Sequence, residues 1–258
     1  MITTEKNLYI RIDKSYGLQV ETMFTATIIA PSRNQNFQVG DTLIVNKDFV
    51  QYDSPNTGYA PEISWYAVIR NGEIVPYDDK IYLIADKDKN KSLTMGSREF
   101  LFPENYFGYQ AEVTTHDAIV KASPVDYIKP GDKVYCHHHL TDESNERWIN
   151  GVLYYELNLN QVYCVVSDGK IQCINQWNFI EPMKVESTGS LKMHKFDTDT
   201  SEVYGKVVHK DARADHIEPG MEIVFKRDMN YDMFVEGTKY FRIRTDCIVA
   251  RCEVEEIK

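Results

Sequence analysis

Four potential zinc ligands stand in a row at Cys136-His137-His138-His139, and thiolate with imidazole is the donor set of tetrahedral zinc sites. Neighbouring residues of an extended strand point to opposite faces, so only alternate members of the run could reach one ion. No CxxC or HxxxH pair stands elsewhere to complete a shell. We assign no metal here and read Val134 and Cys136 as buried strand positions leading into a polar hairpin. The stretch Asp197-Thr198-Asp199-Thr200-Ser201-Glu202 is rich in carboxylate oxygen but lacks the glycine and distal glutamate of a calcium loop, and reads as a solvated loop. Gly-x-Ser-x-Gly, Walker and His-Glu-x-x-His patterns are missing, so the chain is expected to be neither an enzyme nor a cofactor carrier.

The five cysteines, at 136, 164, 173, 247 and 252, are odd in number and irregular in spacing within apolar runs. They read as reduced core thiols of a cytoplasmic protein. A formal net charge of −10 opposes binding to phosphate backbones or anionic lipid, both of which need clustered Lys and Arg, so neither nucleic acid nor membrane is expected as a partner. No run of 18 apolar residues and no signal-like N-terminal segment occurs. Aromatics are dense at Tyr59, Trp65 and Tyr66 and again from Phe100 to Tyr109, with acidic neighbours Glu62, Glu99 and Glu104. That setting suits an interface patch or core padding rather than base stacking.

The elements that would position such residues are set by a repeat. An apolar residue, a glycine turn and a hydrophobic run recur as Phe37-Gln38-Val39-Gly40-Asp41 into Val45, Ile128-Lys129-Pro130-Gly131-Asp132 into Cys136, and Ile217-Glu218-Pro219-Gly220-Met221 into Phe225. The turn-forming glycines, Gly40, Gly131 and Gly220, fall 91 and then 89 residues apart. Spacing that regular marks one module present three times, and we divide the chain at 1–78, 79–175 and 176–258. Glycine serves a reversal that needs φ > 0, and Pro130 and Pro219 preset the residue before it. Asp41 and Asp132 can cap their turns through side-chain oxygens, whereas Met221 is expected to leave the third turn to its backbone alone.

Strand signals dominate and no amphipathic helix longer than two turns is evident. Each unit reads as an opening strand, a polar loop, a second strand, the glycine turn and its strand, a variable hairpin and a closing pair. The first has Leu8 to Ile12, Thr25 to Ala30, Val39 to Val45, Trp65 to Ile69 and Glu73 to Val75. The second has Ile81 to Ile84, Ala118 to Ala122, Val152 to Leu157 and Val162 to Val166, with a long insertion at Gly96 to Thr115. The third has Trp177 to Pro182, Gly205 to Val208, Tyr240 to Ile243 and Cys247 to Ala250. An all-β chain of small barrels or sandwiches is predicted.

The third unit resembles a GroES-like co-chaperonin subunit through Phe179-Ile180-Glu181-Pro182, the loop Val185 to Met193, Gly205-Lys206-Val207-Val208, Ile217-Glu218-Pro219-Gly220 and the ending Thr245-Asp246-Cys247-Ile248-Val249-Ala250. The second is similar from Ala118 to Val166, and the first through Gly17-Leu18, Thr25 to Ala30 and Val39-Gly40-Asp41. The resemblance implies three tandem irregular β-barrels and a mobile loop that carries an apolar tripeptide into a chaperonin groove. Its partner-binding positions would be Leu18 and Val20, Leu93 and Met95, and Leu191 and Met193, with Gln19, Thr94 and Lys192 interposed where the family has a continuous aliphatic run.

Two functions follow from that layout. One is a co-chaperonin-like lid or adaptor that assembles as a homo-oligomeric ring and binds a chaperonin in protein folding. The other is a structural or assembly protein, such as a bacteriophage virion component, that uses the same β units with no chaperonin partner.

Overall fold

The computed structural model describes residues 7–15, 23–31, 36–85, 92–95, 98–101, 116–183 and 203–252. Its regular structure is strand and short 3-10 turn; no α-helix occurs among the described residues, and none of their helices is long and apolar enough to cross a membrane. The first sheet holds β1 (Asn7–Ser15), β2 (Met23–Ala30), β3 (Thr42–Asn46), β4 (Gln51–Ser54), β5 (Thr57–Pro61), β6 (Trp65–Arg70) and β7 (Glu73–Ile74), in the order β4-β5-β1-β2-β3-β6-β7. After β8 (Lys80–Ile84) come β9 (Ser92–Met95) and β10 (Arg98–Leu101), which pair with each other. The second sheet continues with β11 (His116–Ala122), β12 (Lys133–Cys136), β13 (Glu146–Ile149), β14 (Val152–Asn158), β15 (Val162–Ser167) and β16 (Lys170–Cys173), in the order β13-β14-β8-β11-β12-β15-β16. The third has β17 (Trp177–Pro182), β18 (Tyr204–His209), β19 (Glu222–Phe225), β20 (Tyr231–Val235), β21 (Thr238–Arg244) and β22 (Ile248–Cys252), in the order β20-β21-β17-β18-β19-β22.

Numbered from its own first strand, each sheet has the same order, and the third differs only in the last strand. Finer features recur as well. The pairing register slips between Ile44 and Val45, between Tyr135 and Cys136, and between Val224 and Phe225, each time where the third strand meets the sixth. A bulge of this kind bends and twists a sheet locally. A 3-10 turn precedes that sixth strand in all three sheets, at Glu62–Ser64, Leu159–Gln161 and Thr245–Cys247.

The strand pairings are antiparallel, as the alternation of β-formers and turn residues predicts. Closed barrels are not found. Among the described residues each sheet is open, ending at β4 and β7, at β13 and β16, and at β20 and β22. Closure needs the terminal strands to pair along a shared length, and strands such as the two-residue β7 offer too little of it. One predicted strand also starts late: Val39 to Gly40 is turn, and β3 begins at Thr42.

Two compact units emerge from the contacts: Met1–Ile84 with Val120–Gly131 and Asp142–Asn158, and Ala85–Ile119 with Asp132–Thr141 and Leu159–Lys258. The core of the first contains Leu8, Ile10, Ile28, Leu43, Ile44 and Tyr82, none of them exposed. Phe37, Trp65 and Tyr77 meet edge to face there with centroids 5.4 to 5.9 Å apart, so Trp65 is core rather than surface patch, its indole N–H donating to the Ala60 carbonyl at 2.9 Å. Among the described residues of the second unit, one core surrounds Tyr163, Cys164, Phe179 and Met233 and another Ile180, Val207, Ile217, Ile223 and Phe225.

Candidate functional site

The three glycine turns share one geometry. Gly40, Gly131 and Gly220 have φ of 96°, 92° and 94°, a region that costs other L residues a steric clash. Each glycine N–H donates to a carbonyl of the second strand of its own sheet: Ile28 at 2.9 Å, Val120 at 2.8 Å and Val207 at 2.7 Å. In the first and third turns the residue after glycine closes the reversal, Asp41 N–H donating to Gln38 O at 3.1 Å and Met221 N–H to Glu218 O at 3.0 Å. These are the features of a type II turn, with glycine at the third position and Pro130 or Pro219 at the second.

Asp41 caps as its side chain suggests. Its carboxylate accepts from the Gln38 N–H at 2.8 Å and twice from the Arg70 guanidinium, both at 2.8 Å. Burial pushes this carboxyl up, but the Arg70 hydrogen bonds, the Gln38 N–H and the Arg70 charge outweigh it and hold the group below its ordinary 3.8. Asp41 and Arg70 also line a polar depression of about 270 Å³ between the turn and the β6–β7 reversal, where they satisfy each other and leave no spare charge for a ligand. The third turn corrects a sequence expectation. Met221 does take the capping place, its Sδ accepting from the Glu218 N–H at 3.3 Å, because a thioether lone pair can serve as a weak acceptor.

The positions expected to bind a partner all fall on the link between the first and second strands of their sheet. These links are residues 16–22 between β1 and β2, 85–115 between β8 and β11, and 183–203 between β17 and β18. Leu18, Val20, Leu191 and Met193 lie outside the described residues, as does the acidic stretch 197–202. Leu93 and Met95 lie in β9, where the backbone is extended and pairs with β10, Leu93 opposite Phe100 and Met95 opposite Arg98. Of the Gly96–Thr115 insertion, only 98–101 is described, and it forms β10.

Only Cys136 of the cysteine and histidine run lies in a strand, because β12 ends there and His138–Thr141 form a 3-10 turn. Cys136 is fully buried on β12, and burial pushes its thiol well up from the ordinary range. His137 stacks on the exposed His139 with ring centroids 4.9 Å apart, and its Nδ1 accepts the His139 backbone N–H at 3.3 Å. No group of three His, Cys, Asp or Glu side chains able to hold a metal occurs among the described residues. Cys136, Cys164, Cys173 and Cys247 are free thiols.

Sequence reasoning missed two polar clusters. On β12 and the β20–β21 turn, Glu236 accepts from Lys133 at 2.8 Å and from the Tyr135 hydroxyl at 3.0 Å. On β13 and β14, Glu156 accepts from Arg147 at 3.1 and 3.2 Å and from the Tyr82 hydroxyl at 3.0 Å. A charge within an apolar strand was the available signal in Tyr154-Tyr155-Glu156-Leu157. Compared with known proteins, the chain matches no family model and no curated sequence.

Proposed function

We propose that this protein is a multivalent lid or adaptor, built of three GroES-like units at 1–78, 79–175 and 176–258, that assembles with copies of itself and engages a chaperonin ring through apolar loop residues. The observation that carries the reading is positional. All three apolar pairs lie on the same link of a strand order that recurs in three sheets. A repeated scaffold that varies its turns and hairpins yet keeps an apolar pair on one link is suited to presenting that pair.

Energetics favour presentation in several copies. Ordering a loop of about ten residues costs on the order of 1 kcal/mol per residue. Two buried aliphatic side chains return roughly 1.5 to 3 kcal/mol each, so a single loop binds weakly. Loops carried on one chain raise each other's effective concentration and can strengthen binding by about 10² to 10⁴ with no new contact.

The test is co-migration with a purified chaperonin ring, with and without ATP, for the native protein and for a variant with Leu18, Val20, Leu93, Met95, Leu191 and Met193 all changed to Ala. Nucleotide-dependent binding that disappears in the variant is expected; equal binding by both proteins removes the loops from the mechanism. A second reading, as a structural component of a virion or similar particle, is favoured by the open sheet edges, which can be extended by another strand. It requires stable incorporation into a particle regardless of ATP.

A further inference from the structure

Arg242 on β21 is a half-buried cation with no carboxylate beside it among the described residues. Its guanidinium carbon lies 3.9 Å from the ring centre of Tyr163, 4.9 Å from that of Trp177 and 5.1 Å from that of Tyr231. Tyr231 stands directly across the β20–β21 pair from Arg242, and β17 places Trp177 opposite Arg244, the next residue on the same face. Arg244 also approaches Trp177, at 5.7 Å, but its charge is matched by Asp246 at 3.3 Å. Among the described residues, the Arg242 charge therefore stands among the rings without a counter-ion.

Hydrogen bonding around it is sparse. The Arg242 Nε, the Trp177 Nε1 and the Tyr163 hydroxyl are each sealed from solvent with no well-aligned partner among the described residues, and the Tyr163 oxygen gives the guanidinium only a weak polar contact. Tyr231, 46% exposed, stands beside the guanidinium as the outermost of the three rings. A buried polar atom without a partner is costly, and a buried charge without a counter-ion more so. Three such atoms in one cluster favour an acceptor beside the guanidinium. Burial pushes the Arg242 basicity down, offset only in part by the neighbouring phenols, which agrees with a charge that lacks its counter-ion.

We propose that Tyr163, Trp177, Tyr231 and Arg242 form a binding site for a single carboxylate attached to an apolar or aromatic group. Rings cover the faces of the guanidinium and leave its edge, which a planar carboxylate meets with two parallel hydrogen bonds. A dianionic phosphate would carry twice the charge the site can balance. This site is separate from the loop positions and does not rest on the chaperonin reading.

The experiment follows the Arg242 Nε–H resonance and the binding heat during titration with benzoate, benzamide, inorganic phosphate and the blocked tripeptide acetyl-Ala-Glu-Ala-amide. Benzoate or the tripeptide should shift the resonance while benzamide and phosphate do not. Tighter binding of the first identifies a free organic acid as the ligand type, and of the second an acidic side chain of a protein. Arg242→Met should lose about tenfold or more in affinity, the equivalent of a charge-assisted hydrogen bond, without a lower unfolding temperature. Arg242→Lys keeps the charge without the planar fork and should also bind less tightly, which provides the comparison if the methionine variant does not fold. Tyr231→Ala should weaken benzoate specifically. The assignment is overturned if neither acid shifts the resonance, if benzamide or phosphate shifts it equally, or if Arg242→Lys keeps full affinity.

Discussion

Gly131 needs a left-handed backbone at φ of 92°, and a Cβ added there would meet nothing within 4 Å. The cost of Gly131→Ala is thus a backbone cost alone, about 1 to 2 kcal/mol, and should appear as an earlier midpoint in urea unfolding followed by circular dichroism. Asp41 supplies a pH-dependent counterpart. Its carboxyl gives up its proton more readily folded than unfolded, so its contribution to stability is complete above pH about 4 and drains away as the pH falls further. Asp41→Asn should therefore flatten the fall in unfolding free energy as the pH drops below about 4, and an unchanged slope would separate the cap from acid stability. The glycines were readable in sequence because no other residue accepts that backbone cheaply. The Arg70 partner of Asp41 was not, because it lies 29 residues away on another strand and no local pattern links the two. Met221 was misread for a different reason: side-chain tables for capping are written in oxygen, and sulfur at 3.3 Å falls outside them.

Among the elements, β14 and β13 carry a heavily buried charge cluster. Glu156 has 5% of its side chain exposed and Arg147 has 20%, with the Tyr82 hydroxyl as a third partner. Removing only the acid leaves a buried guanidinium uncompensated, so Glu156→Ala should cost about 3 to 5 kcal/mol. The double change of Glu156 and Arg147 to Leu should cost clearly less than the two single changes together, a difference a double-mutant cycle measures directly. Strand existence was legible here because β-branched and aromatic residues cluster between Gly, Asn and Asp turns, as at Asn150-Gly151 and Asp168-Gly169, where both residues of each pair have positive φ. Strand limits and bulges were not. The slip at Tyr135 and Cys136 leaves no mark in composition, since it depends on how β12 meets β15 rather than on either strand alone. The Arg242 site was equally hidden, although Arg242 and Arg244 alternating on a strand that pairs with Trp177 show that its parts were present.

For the molecule as a whole, the repeat of glycines near every ninetieth residue carried over into three sheets with one strand order, while the expected closure into barrels did not, because closure is decided by edge strands that the repeat does not constrain. If the loops act together, replacing the apolar pairs one unit at a time should weaken chaperonin association stepwise, and by more at each step than an isolated loop peptide would contribute. Each sheet is also drawn from one uninterrupted stretch of chain, residues 7–74, then 80–173, then 177–252. A nascent polypeptide can therefore complete one sheet before the strands of the next have left the ribosome. Tandem copies with a common blueprint risk exchanging strands, and this order of emergence favours pairing of each strand within its own stretch of chain.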